Sequence, residues 1–250
     1  MTEILLSGCC GKMGRAIASY LGSREDAEIA AGIDISDAQC GFPVFVSPFS
    51  YEGAADVIID FSSPAALPGL LEYAVKRKIP AVIATTGLDD AHINLIHKAA
   101  QEIPVFFSAN MSLGVSLVCE LAKTAAKVLG DSFDIEIIEA HHNQKVDAPS
   151  GTALMIADAI SGELEKRPVY EYNRHDKRDK RTKNEIGIHS VRGGTIVGEH
   201  EVIFAGYNEV IKICHSAASK ELFAAGAVNA AMFIKDKTPG LYSMSDIVSA

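Results

Sequence analysis

Two imidazoles and an ammonium fall within five positions, at His141, His142 and Lys145. All three can carry or donate protons, and His does so nearest neutral pH. The segment then passes through Pro149-Ser150-Gly151-Thr152 into an apolar run, Ala153-Leu154-Met155-Ile156-Ala157. Ser or Thr at such a junction caps the unpaired N–H groups of a first helical turn. A helix start also attracts anions, because its N–H groups point outward and its dipole favours negative charge. Residues 139–153 thus read as a proton-handling loop beside an anion site, suited to a small carboxylate substrate that must gain a proton. The plainer alternative is that the His-His pair only ends a strand while Lys145 and Asp147 are loop charges. Clustering of polar groups after an apolar strand favours function. No metal is expected: adjacent histidines in extended chain point to opposite faces, and nothing nearby stands at zinc spacing.

A second group with chemical meaning lies at the N-terminus. Gly8-Cys9-Cys10-Gly11-Lys12-Met13-Gly14 follows an apolar run and opens a helical pattern. Its glycines are spaced Gly-x-x-Gly-x-x-Gly. In the dinucleotide fingerprint Gly-x-Gly-x-x-Gly, Gly11 and Gly14 would be the last two glycines, with Cys10 where the pyrophosphate approach usually needs Gly. Asp34 lies twenty positions past Gly14, where an acid that holds ribose hydroxyls belongs. A tight turn with a chance acid is the alternative. Ile35 follows Asp34, so no arginine meets a 2′-phosphate there; this leans toward NADH, with Lys12 a partial substitute.

Positioning these groups requires repeated strand–helix units. Strands are expected over residues 3–7, 28–33, 57–61, 81–84 and 105–107, and helices over 15–21, 64–77 and 89–102. Ser62-Ser63-Pro64 reads as a helix cap with Pro at the first helical position. Near-continuous apolar strands in this alternation argue a parallel sheet covered on both faces. Ligands bind beyond the carboxyl ends of such strands. That places Ala84-Thr85-Thr86-Gly87 and Ser108-Ala109-Asn110-Met111-Ser112 toward a nicotinamide, although Thr85, Ser108 and Ser112 would serve equally as helix caps.

The pattern changes after Ser112. A helix is expected over 114–129, a half-exposed strand over 133–140, and a helix from the Ser150 junction to about 164. Residues 166–184 are dense in charge and read as a solvated, mobile loop. Three strands follow at 186–192, 198–205 and 209–216. Without helices between them they suggest an antiparallel or mixed sheet, whose flat outer face is a candidate subunit interface. An Ala-rich apolar helix at 220–234 is expected to return to the first domain, and Thr238-Pro239-Gly240 to turn into a tail. The domains are therefore drawn as 1–112 with 217–250, and 113–216.

The chain has 250 residues, 48% of them apolar, and a net charge of −9. Such a length fills one large or two modest domains. The acidic balance argues against nucleic acid as a partner, including for 166–184. No apolar run approaches a membrane span, and Ile4-Leu5-Leu6 is too short for a signal peptide. Cys9, Cys10, Cys40, Cys119 and Cys214 are odd in number and make no Cys-x-x-Cys. Thiols in a reducing cytoplasm are the simplest account.

Several of these motifs occur together in one known family. Gly8-x-x-Gly11-Lys12-Met13-Gly14, Asp60-Phe61-Ser62, Thr85-Thr86-Gly87, Ala109-Asn110-Met111-Ser112, Glu139-Ala140-His141-His142, Lys145 to Ala153, Val197-Gly198-Glu199-His200 and Pro239-Gly240-Leu241-Tyr242 span nearly the whole chain. With them the sequence closely resembles the dihydrodipicolinate (4-hydroxy-tetrahydrodipicolinate) reductases of lysine and diaminopimelate biosynthesis. The resemblance implies a Rossmann-like parallel-sheet nucleotide domain and an α+β mixed-sheet domain for substrate and tetramerisation. It implies reduction of a cyclic imine dicarboxylate by NADH or NADPH, with loss of water. It assigns His141 as proton donor and acceptor and Lys145 as proton donor. His142, Lys145, Ser150, Gly151 and Thr152 would bind substrate carboxylates. Gly8, Cys9, Cys10, Gly11, Lys12, Met13, Asp34, Ala84, Thr85, Thr86, Ser108, Ala109, Asn110 and Met111 would contact the cofactor. Two departures stand out: Ile35 where many members have a basic residue, and Lys220 where some have Arg. The rival readings are another two-domain nicotinamide enzyme, such as an aspartate dehydrogenase, and a non-catalytic NAD(H) sensor on the same fold.

Overall fold

The structure is a computed structural model and describes residues 1–36 and 39–249. The chain forms two compact units, Met1–Ser112 with Lys220–Ala250, and Leu113–Ser219.

The first unit begins with β1 (Thr2–Ser7), α1 (Lys12–Leu21), β2 (Ala27–Ile33), β3 (Val44–Phe45) and β4 (Val57–Asp60). It continues through α2 (Leu67–Arg77), β5 (Ala81–Ile83), α3 (Asp90–Ala99) and β6 (Pro104–Phe107). Along β1 and β4, neighbouring residues are buried in opposite directions. Ile4, Leu6, Val57 and Ile59 pack on one side of the sheet, and Leu5 and Ile58 join α2 and α3 on the other. Strands buried on both faces need no polar alternation, which is why they read as unbroken apolar runs.

The second unit holds α4 (Leu113–Leu129), β7 (Asp134–His141), α5 (Gly151–Ser161), β8 (Val169–Glu171), β9 (Glu185–Arg192), β10 (Gly198–Ala205) and β11 (Val210–Ala217). Its sheet runs β11-β10-β7-β9-β8. β10 is antiparallel to β7 and β11, while β9 is parallel to β7 and β8, so the sheet is mixed. The parallel β7–β9 pair requires a crossover, and α5 lies within it. Val118, Ala122 and Ala126 of α4 and Ala153, Ile156 and Ile160 of α5 cover one face against Ile135, Ile137, Val202 and Phe204.

The chain then completes the first sheet with α6 (Glu221–Ile234), β12 (Gly240–Tyr242) and α7 (Met244–Val248). The final order is β12-β6-β5-β4-β1-β2-β3, parallel in every pair. α6 packs on α1 and on β4, β5 and β6, the return expected of an Ala-rich helix.

Two expectations are corrected, and the tail gains a structure. Ser63-Pro64 opens a turn, with the Ala66 N–H on the Ser63 carbonyl at 3.0 Å, and the helix starts three residues later with Pro68 in its first turn. Residues 166–184 are not simply a solvated loop, because they contain β8 and their cations face acids. Arg174 donates to Glu185 at 2.6 Å, Lys177 pairs with Glu171, and Arg181 reaches Asp134 and Glu136 at 3.0 Å. The tail after Gly240 is a strand and a short helix, fixed by a capping box between Ser243 and Asp246.

Candidate active site

In the first unit the strand order reverses between β1 and β4, which each lead away from the sheet at their carboxyl ends. A crevice forms at such a point in doubly wound sheets. A cavity of about 260 Å³ lies there, lined by Gly8 and Gly11 after β1, Asp34 and Ile35 after β2, and Phe61 to Ser63 after β4. Gly8 sits at φ +78, and a Cβ on it would stand 2.5 Å from the Phe61 carbonyl oxygen. Only glycine lets the turn pass this close. α1 begins at Lys12 immediately after the turn, so its N-terminal N–H groups open toward the crevice.

Asp34 is tied to that turn. Its Oδ2 accepts the Cys10 N–H at 2.9 Å, and its Oδ1 accepts the Ser36 N–H at 3.0 Å. Ile35 beside it is 92% exposed. A neighbouring cavity of about 330 Å³ shares Phe61 and Ser62 and is lined by Met13, Ala84, Thr85, Thr86, Ala109 and Met111. Asp60, at the end of β4, is fully buried between the two turns. It accepts the Ser62 hydroxyl at 2.6 Å and the Thr85 hydroxyl at 2.7 Å. Burial pushes its carboxyl up, and these hydrogen bonds oppose the shift. Thr85 thus spends its hydroxyl on Asp60 and faces the cavity from a fixed backbone. Ser108 and Asn110 fold on themselves: the Ser108 hydroxyl donates to the Asn110 carbonyl at 2.7 Å, and Asn110 Oδ1 accepts the Ser112 N–H at 2.9 Å.

In the second unit β7 alternates, with Ile135, Ile137, Glu139 and His141 on its inner face. Glu139 and His141 therefore stand side by side, with His141 Nδ1 2.6 Å from Glu139 Oε2. The register places His200 of β10 opposite Glu139 and Arg192 of β9 opposite His141. Arg192 grips both Glu139 oxygens, at 2.7 and 2.8 Å. The Ser150 N–H adds a third bond to Oε1 at 3.1 Å. Burial works to raise the Glu139 carboxyl, but Arg192, Ser190, His141 and Ser150 outweigh it and hold the pKa at about 2. An ionised carboxylate can only accept, so Nδ1 of His141 carries the hydrogen. Nε2 is left as the proton-exchanging atom. Gly198 faces it: a Cβ there would come within 3.2 Å of His141 Nε2.

His200 is buried, with its Nε2 3.2 Å from the Ser150 hydroxyl and its ring edge-on to His141 at 5.3 Å. Burial, with His141 adding repulsion, pushes its pKa down to about 4. It is neutral at neutral pH, so it does not repel a proton on His141. Ser150 is the N-cap of α5, its hydroxyl accepting the Ala153 N–H at 3.2 Å. The cap is buried, whereas Gly151 is exposed and Thr152 half-buried at the helix start. Lys145 follows in a turn whose N–H bonds the His142 carbonyl at 3.1 Å, and its Nζ lies 2.8 Å from Asp147 Oδ1.

Sequence reasoning gave no role to Glu139, Arg192, His200 or Asp60. Glu139 had a signal, since two-residue spacing in an expected strand puts it beside His141. His200 stands in the Val197-Gly198-Glu199-His200 motif, but only sheet register brings it and Arg192 to Glu139 and His141.

Two family models together cover nearly the whole chain. Residues 2–111 match the dihydrodipicolinate reductase N-terminus and residues 114–248 its C-terminus. The chain belongs to the dihydrodipicolinate reductase family. It is an oxidoreductase, and its reduction step belongs to lysine and diaminopimelate biosynthesis. A 4-hydroxy-tetrahydrodipicolinate reductase of Caldanaerobacter subterraneus subsp. tengcongensis is 53% identical over 99% of this chain and 98% of its own. One of Clostridium tetani is 48% identical over 100% and 98%. Among solved structures, the dipicolinate-bound dihydrodipicolinate reductase of Paenisporosarcina sp. TG-14 superposes with a TM-score of 0.81 at 26% identity, covering 99% of both chains. A Corynebacterium glutamicum DAP dehydrogenase, at 14% identity and a TM-score of 0.59 over 98% of this chain and 93% of its own, shares the fold alone.

Proposed function

We propose that this reductase converts 4-hydroxy-tetrahydrodipicolinate to tetrahydrodipicolinate, consuming one hydride and one proton and releasing one water. The observation that carries the reading is the Glu139–His141 pair beside the α5 start, with Lys145 in the same loop. The dipicolinate on the Paenisporosarcina relative is a planar ring dicarboxylate of matching chemistry.

A dihydronicotinamide, when bound, supplies the hydride. The residues that would hold it are Gly8 to Met13 and Asp34 at the first crevice, with Ala84 to Thr86 and Ser108 to Met111 at the second. Asp34 followed by exposed Ile35 favours a ribose with its hydroxyls intact, hence NADH over NADPH; Lys12, exposed at the first turn of α1, permits some use of NADPH. Hydride addition leaves an electron-rich enamine that must be protonated, and a positioned imidazole is an efficient general acid. His141 Nε2 is that donor. Glu139 fixes the tautomer and the ring orientation. Lys145 is the second proton donor and, with His142, Gly151 and Thr152, receives the substrate carboxylates. Its contact with Asp147 is the arrangement a substrate carboxylate would reproduce. Ser150 positions this clamp through its bonds to Glu139, Ala153 and His200. The helix end contributes ~0.3–1 kcal/mol to anion binding, up to ~2 when partly buried.

The protein is further proposed to act as a cytoplasmic homotetramer through the outer face of the second sheet, where Ile138 is 37% and Val191 47% exposed. Among the described residues no helix is long and apolar enough to cross a membrane. Turnover of the purified protein with enzymatically generated substrate and NADH, against His141→Gln and Lys145→Ala, tests the assignment. Oxidation of aspartate with NAD would instead support the aspartate dehydrogenase reading, and cofactor binding without turnover the sensor reading.

A further inference from the structure

Three of the five cysteines converge although sequence spacing scatters them. Cys9 and Cys10 stand in the turn after β1, and Cys40 comes from the segment between β2 and β3. Their sulfurs all lie within 4.8 Å of one another, with Cys9 to Cys10 at 3.8 Å and Cys10 to Cys40 at 3.5 Å. A tetrahedral zinc ion with Zn–S near 2.3 Å sets its sulfurs about 3.8 Å apart. Both separations made by the Cys10 sulfur are therefore close to the edge of such a site, and the third corner lies within 4.8 Å. In a turn, unlike a strand, adjacent side chains can face one point.

The surroundings fit an ion. Gly32 of β2 makes room for the Cys9 sulfur: a Cβ there would collide with it and come within 2.8 Å of the Phe42 ring. Cys9 is buried at the back, while Cys10 and Cys40 are half-buried and offer an entry. Asp34 brings a carboxylate to the same place, held on the Cys10 N–H at 2.9 Å. Cys40 and Asp34 also line one cavity of about 280 Å³.

We propose that Cys9, Cys10 and Cys40 form a three-thiolate site for a thiophilic divalent cation of the zinc class, placed so that its occupation opposes dinucleotide binding. Binding converts three thiols to thiolates and releases three protons to solvent. The ion bonds through the Cys9 and Cys10 side chains to the glycine turn, and with three thiolates around a divalent cation the site carries a net negative charge that disfavours an anionic pyrophosphate at that turn. The antagonism rests on the proposed cofactor site. The ion site does not, and the two are measured separately.

The reduced, chelator-treated full-length protein is titrated with Zn²⁺ in the absence of nucleotide, and bound ion is counted by equilibrium dialysis; Cd²⁺ provides a thiolate charge-transfer band. The expected result is one ion per chain, with affinity reduced at least tenfold in Cys10→Ala and Cys40→Ser and unchanged in Cys119→Ser and Cys214→Ser. Cys40→Ala is the second variant if Cys40→Ser fails to fold. Absence of one-to-one binding, or equal affinity in the Cys40 variants, overturns the site. NADH is then titrated with and without Zn²⁺. A tenfold or greater weakening in the parent protein, absent in Cys40→Ser, supports antagonism. An unchanged NADH affinity with the ion bound overturns the antagonism while leaving the site standing. NADH that binds neither with nor without Zn²⁺ overturns the cofactor reading instead.

Discussion

Glu139 and His141 stand two residues apart on one face of β7, and the carboxylate Oε2 lies 2.6 Å from the imidazole Nδ1. The carboxylate is also gripped by the two terminal Arg192 nitrogens, so its charge is fixed at neutral pH. Glu139→Gln keeps the shape but removes the charge that holds the tautomer. It should lower kcat on the order of tenfold or more, whereas His141→Gln should lose ~10²–10⁴. A melting curve on Glu139→Gln separates this from unfolding, because Arg192 is left without its ionic partner. A folded Glu139→Gln with parent kcat would contradict the orienting role.

Acid should weaken the second unit. His200 titrates near 6.5 in an unfolded chain and at about 4 here. Its lowered value means that folding favours the neutral form, so its contribution is complete above pH 6.5, falls as pH drops through 6.5, and levels off below 4. The difference is about 3 kcal/mol at full extent. Glu139 acts in the same sense over a lower window, between 4.5 and about 2. Urea melts at pH 7.5 and 5 should show the loss, and His200→Asn should shrink it. An identical pH dependence in His200→Asn would contradict the assignment.

Ser150 joins the cap of α5 to Glu139 and His200. Ser150→Ala should cost about 0.5–2 kcal/mol of stability and raise the KM for substrate more than it lowers kcat. A reversed split would mean that Ser150 acts in the chemistry rather than in positioning.

Cofactor preference follows from Asp34 and Ile35. kcat/KM with NADH should equal or exceed that with NADPH, and Ile35→Arg should shift the ratio toward NADPH by about tenfold, equivalent to ~1.4 kcal/mol. NADPH used tenfold better by the parent protein would contradict this reading.

The outer face of the second sheet gives a separate prediction. Ile138→Asp should dissociate a tetramer in sedimentation velocity, since a buried unpaired carboxylate at an interface is costly. A monomeric parent protein would contradict the proposal directly.

The parallel sheet was legible because strands buried on both faces leave continuous apolar runs, and the Ser150 junction because a cap has its own chemistry. β3, β8 and β12 have two or three residues each and leave no periodicity to read. Residues 166–184 misled because charge density alone does not reveal partners; Arg181 meets Asp134 and Glu136 only once β7 and β9 pair. The same holds at the site. His141, His142 and Lys145 announce themselves by proximity in the chain. Arg192 and His200 sit 51 and 59 positions beyond His141 and reach it only through strand register. Cys40 meets Cys10 through a turn and a loop, with no spacing rule to flag it.

The most direct test is steady-state reduction of enzymatically generated 4-hydroxy-tetrahydrodipicolinate by the purified protein with NADH, run beside His141→Gln and Lys145→Ala. The account predicts NADH oxidation that depends on that substrate and falls at least a hundredfold in His141→Gln, in line with the ~10²–10⁴ of general acid catalysis, with a comparable fall in Lys145→Ala. Parent-level turnover in both variants would contradict it.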